Sequence, residues 1–552
     1  MKRMFFVSVV LILVFITITP LFSGGGQSTA SIPAAQSGVY QRDPNLNPPG
    51  TFQVNKTKVP IKVGVDQYAM VQDWETNWMT IQIEQKGNYD LTFETYPEFQ
   101  QKIELMIMAG GADLPDVLWG GVPKGSLVKF AEAGMIIPLD VYYKNSANYI
   151  NQALPQFDVD ILKYITSYDG HVYGIPNIIA TIGNEYNSNW FMLYEPWLEK
   201  VGLPRPKTIA EFETMLKAFK EKDPNGNGIQ DEIPIIGNNN TSLVNMLRAL
   251  MNPFIYTQND FWILNNGKID VAFNKPAWRE GLRYVKSLID QGLISPLSYT
   301  QNETQMNAMI MSEPQIIGLF ARISESNLPD SEIRRWDYKM LGPLEGPGGV
   351  NAFWNPTIPG IGMTITKNCK NPEAAFMLGD LMCSEEMSIA NRYGEKGVNF
   401  GDPGPGDIGA NDGLGFSPSF RIIADAPVWG IVQNKIYAQR GPYMIPSKFA
   451  DGATFSPAEY PYRRPSGPYI VPWIAAANKN PIVGLIYNEQ EQEVLNEFHS
   501  TIINYVQESY TRFVMGDLSI DREWDSYVAE FNRMNLTEVI RVTQSCWDRM
   551  NQ

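Results

Sequence analysis

The sequence predicts an α/β protein of two or more domains with a helix-rich C-terminal part. Three observations carry this. Strand-like apolar runs alternate with helical segments between residues 59 and 119, the signature of a parallel sheet. About 525 residues follow an apolar leader, more than one hydrophobic core holds. From Asn488 onward the chain reads as helix almost to its end.

Taken in order, Lys2 and Arg3 precede an uncharged run from Met4 to Phe22, and Ser23-Gly-Gly-Gly follows. A basic start, an apolar stretch and a small-residue exit make residues 1–23 a secretory signal peptide, with a retained membrane anchor as the alternative. No cysteine follows the apolar run, so the expectation is an exported protein, periplasmic or at the cell surface, and not an evident lipoprotein. Residues 24–57 are rich in Gly, Ser, Pro, Asn and Gln and read as a flexible tether.

Val59–Val65 and Tyr89–Tyr96 read as strands with a helix-length polar segment between them. A helix around Phe99–Ala109, a Gly-Gly turn and a strand at Asp116–Trp119 follow, then a helix through Leu127–Ala133. Extended pieces lie at Ile136–Asp140 and His171–Pro176. Thr208-Ile-Ala-Glu211 is a capping box, in which hydroxyl and carboxylate each satisfy a backbone amide of the first turn. Ile209, Phe212, Leu216 and Phe219 then repeat at helical spacing. Gly360–Thr366 returns as a strand, followed by a helix near Pro372–Met382. Residues 400–480 carry many Gly, Pro and aromatic residues and read as long ordered loops. The end reads as two helices, Asn488 to about Met515 and Arg522 to the C-terminus.

The net charge of −15, from 44 basic and 59 acidic residues, repels phosphate backbones, so nucleic acid is excluded as a partner. Cys369, Cys383 and Cys546 match no zinc spacing and no disulfide framework. Gly404-Pro-Gly-Asp-Ile-Gly409 satisfies a dinucleotide fingerprint in letters only, because a Pro interrupts it and no helix follows. His171 and His499 neighbour no cysteine and no G-x-S-x-G serine, which argues against histidine-based catalysis. A glycosidase needs only two carboxylates, so composition leaves that class open.

Two groups of residues point to chemistry. The segment Asp223-Pro-Asn-Gly-Asn-Gly-Ile-Gln-Asp231-Glu232 begins like an EF-hand but has Pro234 where the twelfth-position Glu belongs. Asp223, Asn225, Asn227, the Ile229 carbonyl, Asp231 and Glu232 make an oxygen cage suited to a structural Ca2+, with a metal-free Asn-Gly turn as the alternative. Aromatic residues make up 12% of the chain and many lie beside polar or turn residues. Trp74, Trp119, Trp190, Trp354, Trp429 and Trp473 are the candidate platforms, since an indole offers a flat apolar face and a polar edge, as a sugar ring does.

Several segments together resemble the family 1 extracellular solute-binding proteins, which capture oligosaccharides for bacterial ABC importers. They are Leu105-Met-Ile-Met-Ala-Gly-Gly-Ala-Asp-Leu-Pro-Asp116, Tyr173-Gly-Ile-Pro176, Pro196–Thr208 running into Asp223–Pro234, Lys370-Asn-Pro-Glu-Ala-Ala375, Arg392–Val398 and Gly516–Trp524. The acidic segment is also similar to the calcium loop of alginate-oligosaccharide-binding members. The resemblance implies a two-lobed periplasmic-binding fold (type II) whose lobes close on a ligand in the cleft between them. It implies a first lobe over 58–180 and a second over 181–350 with the calcium loop. The chain would return to the first lobe over 351–400, and 401–552 would complete the second with cleft-lining loops and terminal helices. The implied partners are an oligosaccharide and the permease subunits of an ABC transporter, the protein acting as a monomer without catalysis. The rival readings are a secreted polysaccharide-degrading enzyme and a sensory protein that hands a sugar or peptide to a receptor.

Overall fold

A computed structural model describes residues 40–120, 122–186, 190–322, 337–352, 354–409, 413–423, 432–458, 467–477 and 481–551. The strands of its two principal sheets are β1 (Val59–Asp66), β2 (Tyr89–Tyr96), β3 (Val117–Trp119), β4 (Gly174–Ile179), β5 (Trp190–Tyr194), β6 (Ile233–Ile236), β7 (Ile317–Arg322), β8 (Tyr338–Met340), β9 (Gly360–Ile365) and β10 (Tyr443–Ile445). One sheet has six strands in the order β10-β4-β9-β3-β1-β2, and the other has four in the order β8-β5-β7-β6.

In the first sheet β1 pairs parallel with β2 and β3, and helices Trp78–Gly87 and Phe99–Met108 make the crossovers. Val63, Gly64 and Val65 of β1 are all buried, so both faces of the strand are covered there, while Pro60 and Lys62 leave one face open nearer its start. Helix Pro372–Met382 is buried from Glu373 to Met382, with Glu373 and Asp380 as its two buried carboxylates, so it forms the middle of this core. In the second sheet β6 runs parallel to β7, while β5 runs antiparallel to β7 and β8. Helix Ile209–Glu221 has the expected capping box and buries Phe212, Met215, Leu216 and Phe219. It lies so close to β7 that a Cβ at Gly318 would stand 2.8 Å from the Phe219 ring, which explains the glycine there. Helices Pro276–Asp290, Ser500–Met515 and Ile520–Arg533 complete the second core through Leu282, Val506 and Phe531.

Each sheet thus has its own core, and the molecule is two-lobed. Three stretches cross between the lobes: β4 to β5, β8 to β9, and the chain after β10 that leads to the C-terminal helices. No helix among the described residues is long and apolar enough to cross a membrane.

Three expectations need correction. The tether was drawn through residue 57, but residues 40–57 pack on the first lobe. Leu46 and Val54 are buried, and Glu373 accepts from Tyr40 Oη, from Ser146 Oγ at 2.8 Å and from the Asp43 amide at 3.0 Å, with Arg42 at 3.5 Å. Apolar residues every few positions in a Pro/Asn-rich stretch made this strap look like a linker. The signal peptide and residues 24–39 lie outside the described residues. Second, residues 401–552 do not all serve the second lobe, because β10 pairs with β4 in the first sheet at Tyr443↔Asn177. Third, the terminal helices are more broken than expected. Glu489–Val494 passes through a π turn at Leu495–His499 into Ser500–Met515, and Asn535, in the left-handed region at φ 58°, separates Ile520–Arg533 from Leu536–Asn551.

Candidate functional site

Two places bring polar side chains together away from ordinary packing. The first is the acidic loop between helix Ile209–Glu221 and β6. Asp223 itself turns left-handed, at φ 49°, and its carboxylate accepts from the amides of Gly226 (2.9 Å), Asn227 (3.1 Å) and Gly228 (2.9 Å). Asn225 Nδ2 donates to Asp231 Oδ1 at 3.0 Å, and Asn227 Nδ2 to Asp231 Oδ2 at 3.0 Å. The side chains of Asn225, Asn227 and Asp231 thus meet one another, Asp223 binds the amides of the same turn, and Ile229 joins by donating its amide to Asn227 Oδ1 at 2.7 Å. The described residues hold no cluster of three acidic, His or Cys side chains close enough to grip a metal as they stand.

Glu232 is the exception inside this network. It is buried, and no donor reaches either carboxylate oxygen in hydrogen-bonding geometry. Burial pushes its carboxyl upward, Asp223 and Asp231 push the same way, and the nearby amides of Glu232 and Asn225 pull back. A buried carboxylate without a partner is costly unless a cation satisfies it. The oxygen-rich, anionic donor set fits a hard divalent cation such as Ca2+.

The tryptophan expectations divide. Trp74 and Trp119 are packed inside the first lobe, where Trp74 stacks on Phe93 at 5.6 Å and both rings lie 5.3 Å from Tyr437. Trp473 is fully buried in the core of the second lobe. These three present no open face here, because a ring beside polar residues in sequence can still point inward. The Trp190 side chain and Trp429 lie outside the described residues. Trp354 alone sits half-buried at the lobe junction, stacked on Tyr186 at 6.2 Å.

That junction is the second place. Glu185, on the first crossing, accepts from Trp354 Nε1 (3.2 Å) and the Thr357 amide (3.1 Å), both on the second crossing. Its own carbonyl accepts from the Asn355 amide at 3.1 Å. Burial raises the Glu185 carboxyl, while the Thr357 and Trp354 donors hold it down. One carboxylate thus ties two hinge segments together.

Beside this knot runs a trench made of two cavities, of about 590 and about 340 Å3, that share Asp260, Trp262 and Tyr487. Its walls come from Asn355–Ile358 of the second crossing, Ile482–Tyr487 of the third, and the helix that carries the π turn. Gln492 on that helix faces the first lobe: a Cβ at Gly125 would stand 3.6 Å from its Oε1. Asp260 and Phe261 are consecutive non-glycine residues in the left-handed region, at φ 53° and 62°. Such strain concentrates at ligand sites, and so do π turns. Asp260, Trp262, Tyr487 and His499 were missed in the sequence. The rule that singled out other tryptophans, a polar or turn neighbour, would not have found Trp262, which lies between Phe261 and Ile263.

The family model for bacterial extracellular solute-binding proteins matches residues 78–397. The chain is 26% identical over 475 residues to the fructooligosaccharide ABC transporter substrate-binding protein FusA of Streptococcus pneumoniae serotype 4, spanning 82% of this chain and 83% of that one. FusA solved in complex with kestose has a TM-score of 0.67 at 22% identity, covering 89% of this chain and 99% of that chain. FusA is also solved as an EF-hand mutant. The solute-binding protein of an HMO-binding ABC transporter from Bifidobacterium longum infantis gives 0.73 at 18% identity, with coverage of 89% and 99%. Alginate-binding protein AlgQ2, solved without calcium ion, gives 0.61 at 19% identity, with coverage of 91% and 100%.

Proposed function

The chain belongs to the bacterial extracellular solute-binding proteins, and from that premise we propose that it captures an oligosaccharide outside the cytoplasm and delivers it to the permease of an ABC importer. The observation that carries this reading is the lobe junction, a polar and aromatic trench bordered by crossing segments that Glu185 knits together. Ligands bridging two lobes favour the closed arrangement by their extra contacts there, and closure is what a permease can recognise.

In this reading residues 1–23 export the chain, the protein works as a monomer, and the first lobe holds β1–β4, β9 and β10. Trp354 is the one member of the expected tryptophan set kept as a ligand contact. Ca2+ is held by Asp223, Asn225, Asn227, Ile229, Asp231 and Glu232 and neutralises charge in the loop. The EF-hand mutant of FusA and the AlgQ2 structure solved without calcium ion concern those proteins, and together with the unpartnered Glu232 they support this assignment.

The test is a thermal-shift screen of the mature chain with calcium against oligosaccharides, each glycan checked by mass afterwards. A ligand at a hundred times its dissociation constant stabilises by about 2.7 kcal/mol. A shift with intact glycan is the expected result. Cleaved glycan would make the protein an enzyme, and no shift with any glycan would overturn the proposal.

A further inference from the structure

The relatives named above do not fix the charge of the ligand, since fructooligosaccharide is neutral and alginate is a polyuronide. The trench does bear on it. Phe261 is buried edge-on against Trp278 at 5.4 Å, and the Phe261 carbonyl accepts from the Ala272 amide at 2.9 Å. These contacts hold the left-handed turn, and the turn presents Asp260 to the trench with its side chain about half exposed. Opposite, the π turn sets His499 flat on Trp262, with ring centroids 6.3 Å apart at 7°, and its Nε2 lies 3.6 Å from Asp260 Oδ2.

The other polar groups on the walls are amides and the hydroxyls of Thr357, Tyr487 and Ser500. Asn259 Nδ2 donates toward Asn355 Oδ1 at 3.4 Å, and Gln492 Nε2 donates to Asn496 Oδ1 at 2.9 Å. Among the described lining residues there is no Lys or Arg. Arg248 interacts through space with Asp260, but it is buried with its guanidinium over the Phe261 ring at 6.0 Å and does not line the trench. Lys124, beside the Gly125 that faces Gln492, has its Nζ sealed from solvent and does not line the trench either.

We infer that the trench selects an uncharged, hydroxyl-rich glycan and rejects uronic-acid oligomers, with Asp260 as the residue that sets this preference. The inference rests on the proposed function and adds to it the charge class of the ligand. A carboxylate accepts hydrogen bonds from sugar hydroxyls, and charge-assisted bonds of this kind are the stronger ones. The amides add donors and acceptors that suit either role of a hydroxyl. A carboxylate on the ligand would meet Asp260 with no ammonium or guanidinium among the described lining residues to offset it, as like charges at close range repel.

The experiment is calorimetric titration of the full chain and of Asp260→Asn with fructo-, malto- and xylo-oligosaccharides and with oligogalacturonate and oligomannuronate of matched length. Melting curves establish that the variant is folded, and Asn259→Ala serves as a second variant of the same ledge. Expected are binding of a neutral glycan, at least tenfold weaker binding of every uronate, and a loss of tenfold or more for the neutral glycan in folded Asp260→Asn. A uronate that binds as well as or better than the neutral glycans overturns the inference and leaves the binding function standing. So does neutral binding that neither variant weakens. If no glycan of either class binds, the proposed function falls and this inference with it.

Discussion

Replacing Glu232 by Gln separates a cation site from an ordinary turn, because the two readings give opposite signs. Asp223 is already satisfied by three backbone amides and Asp231 by two side-chain amides, whereas Glu232 has no donor. Without metal, Glu232→Gln removes a buried charge that Asp223 and Asp231 repel. The metal-free protein is therefore expected to be unchanged or more stable. With calcium the sign turns over. At a hundred times the dissociation constant calcium adds about 2.7 kcal/mol, and a variant that binds a hundredfold more weakly keeps only about 0.4 kcal/mol.

The assay is a pair of melting curves, in calcium and in chelator, for each protein. Losing about 2.3 kcal/mol of the calcium increment corresponds to roughly 5–9 °C in a unit of 150–250 residues. The pH dependence has a defined sign as well. The folded carboxyl is raised above its unfolded value, so in the metal-free protein its contribution is present at low pH and lost as pH rises through the folded value. Calcium competes with that proton, so its stabilising increment should grow over the same rise. An equal effect of Glu232→Gln in calcium and chelator, or an increment flat with pH, would refute the reasoning.

Other outcomes follow from the same geometry. Glu185→Gln keeps one acceptor oxygen but turns an amide toward either Trp354 Nε1 or the Thr357 amide, costing about 1–3 kcal/mol in urea titrations. A change within about 0.3 kcal/mol would mean that the crossings are not tied by this carboxylate. Trp119→Ala should cost about 3–5 kcal/mol while the folded fraction binds glycan unchanged, since the ring is 1% exposed. Weakened binding at intact stability would restore Trp119 as a ligand platform. Removing residues 1–57 strips Tyr40, Arg42 and Asp43 from buried Glu373 and should cost about 3 kcal/mol. Adding Glu373→Gln to the truncated chain should recover part of that, and no recovery would sink the strap argument.

The regular elements were legible because their determinants are local. The capping box at Thr208–Glu211, the apolar runs of β1 and β2 and the Pro372–Met382 helix sit where their patterns predict. The loop Asp223–Glu232 was legible for the same reason, since its side chains close on one another within ten positions. The lobe junction was not, because Glu185, Asp260, Trp354 and Tyr487 lie on four separate segments and meet only through tertiary structure. Aromatic content shows how much flat surface a chain carries but not which way it faces. Trp119 and Trp473 point inward, while Trp262, set between Phe261 and Ile263 and itself largely buried, reaches the trench with one edge. β10 escaped notice because three residues in a Gly/Pro-rich stretch carry no period.

Topology also separates the two candidate sites and gives each its own role. β5 enters the second sheet directly from the first crossing, and its first residue, Trp190, pairs with Arg322 at the carboxyl end of β7. The opposite end of β7 pairs at Ile317 with Ile233, the first residue of β6. Residues 317 to 322 extend over roughly 17 Å at the usual rise per residue. The acidic loop leads into β6 through Glu232, so it lies about one strand length from the crossing, at the amino end of the parallel pair. Ligands of open α/β sheets gather at the carboxyl ends of strands. A cation in the loop would therefore fasten helix Ile209–Glu221 to the edge strand without meeting the glycan. Occupying the loop and occupying the trench then stabilise the second lobe as independent terms.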